Sequence, residues 1–494
     1  MFDTTLDGFV GNVSERNRFG VSLPVIFAIG IYALLITHAQ VMLRDPDTFW
    51  HIVVGRWIIE YGTVPDHGIF SGTMAHAPWL DQEWLAEILM AWGYDHFGWA
   101  ALAVGTALSV AVAIAILLRA LLGTLPPVYA MIAIVLAGAL WSPHILARPF
   151  ILTTPILVVW VAGLVRARRE NRPPSLWMAL LIVVWTNLHG SFVFGIGIAA
   201  LLAAEAVLRA PDWAGRIRSA RDWGRFGAVA LGAALITPYG YHGLLFPIHL
   251  ANMSSLAYIG EWQGMNFSQT WALPMTAWLL TILFAGLTLG WRLPPARVGM
   301  LLLLLMMALK HIRYMDLLGS VSALLLAPSL ALRLNRRGAT RIDRLMDELA
   351  RPANWRSIMA SSVMILALSI IVLRVENPQP ADEISPVAAV TEVKANHIDG
   401  PVFNSDLFGG YLIFAGIEPF VDGRAELYGD DYVKRYVDAS WLTNGQLPEL
   451  LNDSGIAWTI FPPNGPAATL MDHLPGWRRL YVDSVAIVHV RQPS

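Results

Sequence analysis

The chain has 494 residues, of which 56% are hydrophobic and 14% charged, and its formal net charge is −2. Soluble globular proteins have about a quarter of their residues charged, so this composition indicates an integral membrane protein. The small net charge argues against nucleic acid as a partner, and the absence of cysteine excludes disulfides, thiolate metal sites and cysteine nucleophiles.

Eleven apolar segments are candidates for membrane-spanning helices, since one crossing needs about 20 residues. They lie near residues 20–43, 98–119, 127–144, 149–165, 175–189, 191–208, 224–238, 271–290, 296–310, 314–332 and 357–374. Several are short, so tilted or broken spans are expected among them. The sequence therefore predicts a polytopic α-helical membrane domain over residues 1–375, with about 11 transmembrane helices and membrane lipids around it.

Basic residues are concentrated in alternate loops. With the N-terminus inside, the cytoplasmic loops carry Arg166, Arg168, Arg169, Arg172, Arg209, Arg216, Arg218, Arg221, Arg225, Arg292, Arg297, Arg333, Arg336, Arg337, Arg341, Arg344, Arg351 and Arg356. The main basic residues of the opposite loops are Arg44, Arg56, Arg148, Lys310 and Arg313. This positive-inside pattern predicts a multi-pass protein of the bacterial inner membrane with a cytoplasmic N-terminus. The outward cations need a reason other than orientation.

The first outward (periplasmic) segment, residues 44–97, is too long for a simple connector. It begins with Asp45-Pro46-Asp47, where Asp45 is a natural N-cap and Pro46 a good first helical residue. A helix from about residue 46 to 60, closed by Gly62, places Asp47 and His51 one turn apart on the same face. An acid and a titratable base in this position are candidates for chemistry at the membrane surface.

A second helix is predicted in the same segment, from about residue 82 to 96. Its apolar residues at one side predict an amphipathic helix that lies on the membrane. Of its two carboxylates, Glu83 is a candidate site residue beside Trp84, and Glu87 is expected on the solvated face.

Other outward loops add polar residues. Asn187 and His189 stand in a tight turn at a depth where polar groups need partners, and we expect them to face the bundle interior or a wet cavity. The loop near residues 237–271 contains Tyr239, Glu261 and Trp262, which we group with Asn187 and His189 as candidate substrate-binding residues. Lys310, His311 and Arg313 form a cationic turn that, with Arg148, suits a phosphate better than isolated snorkelling side chains would.

The last segment, residues 376–494, alternates short strand-like and helix-like pieces, which predicts a small periplasmic α/β domain. Strands are predicted at 401–404, 419–422, 457–461 and 484–490, and helices at 429–441, 446–453 and 466–473. The chain shows neither a Walker loop nor a glycine-rich dinucleotide motif after a strand, so nucleotide chemistry is not expected.

One reaction uses both outward carboxylates and outward cations: transfer of a sugar from a lipid-phosphate donor. A carboxylate removes the proton of the acceptor hydroxyl, and cations stabilise the charge that grows on the departing phosphate. The lipid tail would lie between helices, which explains why such an enzyme is embedded in a membrane.

The layout also carries a family resemblance. The phrases Asp45-Pro46-Asp47-Thr48-Phe49-Trp50-His51, Glu83-Trp84-Leu85-Ala86-Glu87, Asn187-Leu188-His189-Gly190-Ser191, 404–412 and 422–429, with ten or more spans and an outward tail, resemble the GT-C superfamily of polyprenyl-phosphate-sugar-dependent glycosyltransferases. The resemblance implies an inverting transfer with Asp45 or Asp47 as the general base. We expect Glu83 and His51 to support this base, and an envelope glycan, lipid or protein to be the acceptor. It implies no cofactor and no metal for a lipid-monophosphate donor, although Asp45, Asp47 and His51 offer ligands that suit Mg²⁺ or Mn²⁺ as an alternative.

Three other functions stay open at this point. A transporter or flippase would use the intramembrane polar residues to line a path. A non-catalytic scaffold of polysaccharide assembly would use the tail to bind partners. A polymerase or ligase that moves whole glycans from a lipid-diphosphate carrier would need more cations than the outward loops contain.

Overall fold

The computed structural model describes residues 20–290, 292–334 and 340–492. Arg336 and Arg337, two of the predicted cytoplasmic cations, lie outside these ranges. The α-helices are α1 (Leu23–Ile36), α2 (Ala39–Met42), α3 (Asp47–Tyr61), α4 (Trp84–Phe97), α5 (Trp99–Leu122), α6 (Pro127–Trp141), α7 (Pro149–Arg169), α8 (Ala179–Leu188), α9 (Phe192–Leu208), α10 (Trp213–Ala234), α11 (Tyr241–Ala251), α12 (Leu273–Leu289), α13 (Pro295–Lys310), α14 (Met315–Ala331), α15 (Arg341–Ala350), α16 (Trp355–Ile371), α17 (Val387–Ala395), α18 (Asp406–Phe414), α19 (Ala425–Tyr428), α20 (Asp430–Ser440), α21 (Leu447–Asp453) and α22 (Pro466–Met471).

A helix occupies each of the eleven predicted apolar segments, and the polytopic helical fold with a small C-terminal sheet is confirmed. Within the described ranges, five helices are long and apolar enough to cross a membrane, at Trp99–Leu122, Pro127–His144, Pro149–Arg169, Thr270–Leu289 and Ile312–Ala331. A sixth candidate is the bent pair α15 and α16, whose axes differ by 80°. The other apolar helices, such as α1 and α9, are shorter, as expected for tilted or partial crossings.

The core of the membrane part is built around α5, α7 and α14. Small residues allow this close packing: a Cβ added at Gly319 of α14 would lie 3.1 Å from the carbonyl oxygen of Ala137 in α6. The end of the bundle where α7 and α9 finish contains a buried charge cluster. Glu205 of α9 is fully buried and lies within 4 Å of Arg168, Arg209 and Arg297. These three arginines therefore form ion pairs with a buried residue of the bundle.

The first outward segment folds as a pair of packed helices, α3 and α4, that run in the same direction: His51 contacts Glu87, and Arg56, further along α3, contacts Asp95, further along α4. Gly55 permits the contact, since a Cβ there would lie 2.0 Å from the carbonyl oxygen of Glu87. Gly62 ends α3 with φ of +67°, as predicted for a C-terminal glycine. The expectation that Glu87 faces solvent is wrong. Its side chain is fully buried, because the face of α4 that contains Ala86, Glu87 and Met90 packs inward.

The tail contains strands β1 (Val402–Asn404), β2 (Trp458–Phe461), β3 (Trp477–Val482) and β4 (Ile487–Arg491) in the order β1-β2-β4-β3. β1 and β2 are parallel and the other pairs antiparallel. Three predicted strands and all three predicted helices are present. The predicted strand at 419–422 is wrong: this stretch is an irregular loop whose backbone binds the Asn404 side chain rather than a neighbouring strand. β3 and the helices α17, α18 and α19 were not predicted.

The tail packs directly on the start of α3. A Cβ at Gly410 of α18 would lie 2.2 Å from the carbonyl oxygen of Pro46, and one at Gly423 would lie 1.9 Å from Oδ1 of Asp47. Both glycines are therefore required for the approach of the tail to the acidic motif. The domain boundary near residue 375 stays a prediction.

Candidate active site

One large cavity, of about 1850 Å³, lies between the start of α7, the end of α13, the first outward segment and the tail. Most of the sequence-predicted site residues line it: Asp45, Asp47, His51, Glu83, Arg148, His189, Glu261, Trp262, Lys310, His311 and Arg313. Residues from six separate stretches of the chain therefore face one space.

Asn187 and Tyr239 are not among the lining residues. The Asn187 side chain accepts a hydrogen bond from Trp84 Nε1 and donates to the carbonyl oxygens of Val183 and Ile236. The Tyr239 hydroxyl accepts from the Asp81 N–H and donates to a carbonyl oxygen of the first outward segment. In this structure both side chains hold α4 against its neighbours, and their predicted substrate contacts are not seen.

Arg148 is the electrostatic centre of the cavity wall. As the residue before α7, it reaches three carboxylates: Nη2 lies 2.6 Å from Asp47 Oδ2, Nη1 lies 3.1 Å from Glu261 Oε2 and Nε lies 3.3 Å from Asp45 Oδ2. Three carboxyl groups therefore share one guanidinium. The predicted phosphate-binding role of Arg148 is therefore in competition with these partners.

The two aspartates of the acidic motif have different surroundings. Asp45 is 5% exposed, and its Oδ1 accepts the Asp47 N–H at 2.9 Å, which fixes the turn before α3. Asp47 Oδ1 accepts a hydrogen bond from Trp50 Nε1 at 3.2 Å. Burial raises the pKa of Asp45 to about 7 against the opposing effect of Arg148, and burial likewise raises the pKa of Asp47. Asp47 is the more accessible of the two, with 16% of its side chain exposed.

The cationic turn after α13 faces the same cavity. Arg313 Nη1 lies 3.4 Å from Glu261 Oε1, and its guanidinium stacks 4.2 Å from the centre of the Trp262 ring. Burial raises the pKa of Glu261, but Arg148 and Arg313 outweigh it and lower the pKa to about 2. Glu261 is therefore an ionised bridge between the two arginines. Lys310 is exposed at this end of the cavity.

Glu83 lies between two imidazoles. His189 Nε2 is 3.1 Å from Oε1, and His51 Nε2 is 3.6 Å from Oε2. The Ser191 N–H donates to His189 Nδ1, so Nε2 carries the proton of the neutral His189 ring and faces Glu83. Burial is the main cause that raises the pKa of Glu83, to about 8, with the Asp81 charge adding to it. Glu83 is thus poised to take up or release a proton near neutral pH.

The tail contributes residues whose role sequence reasoning missed. Asp422 and Arg424 form a fully buried ion pair of 2.7 Å, and Arg424 also stacks on Trp79, 4.9 Å from its ring centre. Both line the cavity, together with Glu426, which accepts a hydrogen bond from Trp79 Nε1. Sequence reasoning misses their role because nothing in the sequence indicates that Asp422-Gly423-Arg424 meets Asp47.

Apolar side chains continue the cavity away from these charges. They come from α7, α9, α11, α13 and α14 and include Phe150, Leu157, Phe194, Phe246, Met306 and Leu317. The cavity therefore combines a charged end with an apolar end among the membrane helices.

The acidic motif does not fit a metal ion. The outer oxygens of Asp45 and Asp47 are directed at Arg148, and His51 is directed at Glu83 and Glu87 instead. Within the described ranges, no group of three or more histidine or acidic residues is placed to hold an ion. The guanidinium of Arg148 stands where a cation would bind.

No protein-family model matches the chain, and no curated protein does. Solved structures do. ArnT from Cupriavidus metallidurans in the apo state aligns with a TM-score of 0.51 and 15% identity, over 94% of this chain and 97% of ArnT. ArnT bound to undecaprenyl phosphate gives 0.49 and 14%, over 94% of this chain and 97% of ArnT. The arabinofuranosyltransferase AftD from Mycobacteria gives 0.48 and 13%, over 95% of this chain and 40% of AftD. The likeness to apo ArnT shows that the chain has the GT-C fold, in agreement with the resemblance seen in the sequence.

Proposed function

We propose that this chain is a membrane glycosyltransferase that moves a sugar from a polyprenyl-phosphate donor to a hydroxyl group of an envelope glycan, lipid or protein. The observation that carries the proposal is the shared cavity, which joins the Asp45–Asp47 motif, the cationic turn at residues 310–313 and an apolar wall. These are the three surfaces that such a donor and its reaction need. The ArnT fold supports the same class, since ArnT has been solved with undecaprenyl phosphate bound.

Asp47 is the general base in this proposal. It removes the proton of the acceptor hydroxyl as that oxygen attacks the anomeric carbon from the face opposite the phosphate. The bond between the anomeric carbon and the phosphate oxygen breaks, the electron pair leaves with the polyprenyl phosphate, and the configuration is inverted. Asp45 is less suitable because it is 5% exposed and its carboxylate is used by the Asp47 N–H and Arg148.

Lys310 and Arg313 bind the donor phosphate in this proposal, and the polyprenyl chain lies along the apolar residues of α9, α13 and α14. Arg313 keeps its orientation through Trp262 and Glu261. A preorganised cation stabilises charge that develops on the leaving phosphate more than water does.

The cavity opens on the periplasmic side in this proposal. Arg148 and the cavity lie at the start of α7, whereas Arg166, Arg168 and Arg169 lie at its other end. At 1.5 Å per residue this helix is about 30 Å long, the thickness of the hydrocarbon core. The positive-inside rule then assigns the arginine end to the cytoplasm of a bacterial inner membrane.

The test uses the purified chain in liposomes with a radiolabelled polyprenyl-phosphate sugar and an envelope-lipid or glycan acceptor extract. Asp47→Asn should reduce transfer by about 10²–10⁴-fold, and Asp45→Asn should reduce it less. Asp66→Asn is the control, because Asp66 is exposed and lies outside the cavity.

Two results would contradict the proposal. Unchanged transfer in the Asp47→Asn protein would exclude Asp47 as the base. Movement of labelled lipid across the bilayer without any covalent product would instead identify a carrier.

A further inference from the structure

Behind the cavity wall lies a carboxyl group that takes no part in the proposed reaction. Glu87 is fully buried between α3 and α4 and does not line the cavity. Its Oε1 is hydrogen-bonded to His51 Nδ1 at 2.8 Å. The other ring nitrogen of His51 faces Glu83, which does line the cavity. Glu87 is therefore linked to the cavity through neighbours that line it, among them the imidazole of His51.

The second oxygen of Glu87 requires a proton. Glu87 Oε2 and Asp81 Oδ2 are both buried and neither is offered a donor, and the two carboxyl groups are close enough for each to affect the ionisation of the other. Two carboxyl oxygens attract each other only when one of them is protonated. Burial, with the Asp81 charge, raises the pKa of Glu87 well above its usual range, whereas that of Asp81 is raised only to about 6. The proton at neutral pH therefore belongs to Glu87.

We propose that Glu87 is a positioning residue: a neutral carboxylic acid that donates from Oε2 to Asp81 and accepts from His51 at Oε1, and so fixes the proton of the His51 ring on Nδ1. His51 Nε2 then has no proton and presents a lone pair to Glu83. This assignment gives each buried polar atom of the group a partner, including the two that otherwise have none.

The consequence concerns the protonation of Glu83. Its Oε1 faces a donor, the N–H of His189, and its Oε2 faces an acceptor, Nε2 of His51. One donor and one acceptor suit a neutral carboxylic acid, whereas a carboxylate prefers two donors. Glu87 therefore helps to keep Glu83 protonated up to about pH 8, with the single O–H of Glu83 directed from Oε2 at His51 Nε2.

The charged and titratable groups around His51 and Glu87 come from several elements. They are Asp81 and Glu83 before α4, Arg148 before α7, His189 after α8 and Arg424 before α19. Burial, and after it the positive charges of Arg148 and Arg424, lower the pKa of His51 well below its usual range. His51 is therefore a neutral ring with one proton, and its tautomer is set by the hydrogen bond that it makes to Glu87.

The first experiment does not depend on transferase activity. Infrared spectra of the full-length protein in lipid should contain the carbonyl stretching band of a protonated, buried carboxyl group, and Glu87→Gln should remove part of it at pH 7. Glu60→Gln is the matched control, because Glu60 is an exposed carboxylate at the end of α3. No change of this band in Glu87→Gln would overturn the proposal.

The second experiment rests on the proposed function and compares pH–rate profiles. A glutamine side chain has the same shape as a neutral glutamic acid and keeps an acceptor for His51 and a donor for Asp81, so Glu87→Gln should leave the profile unchanged. Glu87→Ala allows His51 to carry its proton on Nε2 and to donate it to Glu83, which stabilises the Glu83 carboxylate. The pH at which Glu83 ionises in the pH–rate profile should therefore fall by about one pH unit. A Glu87→Gln variant as impaired as Glu87→Ala would show that Glu87 itself ionises in the reaction and would overturn the assignment. If the wild-type protein shows no transfer, the proposed function is refuted, whereas the infrared experiment still tests the assignment of Glu87.

Discussion

Replacing Gly423 by alanine should displace the proposed base, Asp47, while leaving the Asp47 side chain itself unchanged. The added Cβ would lie 1.9 Å from Asp47 Oδ1, and ordinary contact begins at 3.4 Å, so the tail loop or Asp47 must move by 1.5 Å. A misplacement of about 1 Å at a reacting group costs about 100-fold in rate, and overpacking of this kind costs about 1–3 kcal/mol of stability. We therefore expect a fall in kcat of about 100-fold in a protein that still folds.

The assay is transfer from a radiolabelled polyprenyl-phosphate sugar in liposomes, with the melting temperature as a measure of folding. Gly72→Ala is the matched control, because Gly72 also lies where the first outward segment meets the tail, and a Cβ there makes its nearest contact at 3.5 Å. In an Asp47→Asn background, Gly423→Ala should add little further loss, since both changes act on one carboxylate. Wild-type transfer by Gly423→Ala would refute the reasoning.

Three further predictions follow from the charges of the cavity. Arg148→Gln leaves three carboxyl groups without their shared cation and should lower the free energy of unfolding in urea by about 3 kcal/mol. A second change, Asp45→Asn, should recover part of this loss. If Arg148→Gln leaves the free energy of unfolding unchanged, water already screens these charges. The folded chain holds a proton on Glu83 up to about pH 8, whereas the unfolded chain releases it near pH 4.5, so wild-type stability falls as the pH rises between these values. Glu83→Gln should therefore raise the melting temperature more at about pH 9 than at about pH 5. An equal rise at both pH values would contradict the raised pKa of Glu83. Lys310→Ala should raise the KM for the donor and weaken the salt dependence of donor binding, whereas Arg356→Ala, at the opposite end of the bundle, should do neither.

The membrane helices were predictable because each forms from a long apolar run that faces either the bundle or the lipid, and this property is local. α7 and α14 therefore lie where the hydropathy placed them. The strand predicted at 419–422 failed for a related reason. Phe420 and Val421 are apolar because their side chains are buried, while their backbone binds the Asn404 side chain instead of a neighbouring strand. Apolar character alone does not distinguish such a buried loop from a strand.

The convergence of charges was predictable only in part. The predicted topology put Asp47, Lys310 and Arg313 at helix ends on one side of the membrane, and the three residues do line one cavity. Glu87 was missed because its burial depends on the approach of α3 to α4 at Gly55, a contact between residues that are 32 positions apart. Arg424 was missed because its partners, Trp50 and Trp79, lie more than 340 residues earlier in the chain.

The three cations of the cavity differ in the number of carboxyl groups that pair with them. Arg148 faces three carboxylates, and Arg313 shares only Glu261 with it. Within the described ranges Lys310 has no carboxylate at ion-pair distance. In the proposed reaction the donor phosphate therefore binds at Lys310 and Arg313, because the guanidinium of Arg148 is already shared by three carboxyl groups. Asp47 lies on the Arg148 side of Glu261, which bridges the two arginines, so the proposed reaction puts the sugar between Asp47 and the phosphate. The phosphate and the acceptor would then meet opposite faces of the anomeric carbon, as an inverting transfer requires, and Arg148 would hold Asp47 in place as its counterion.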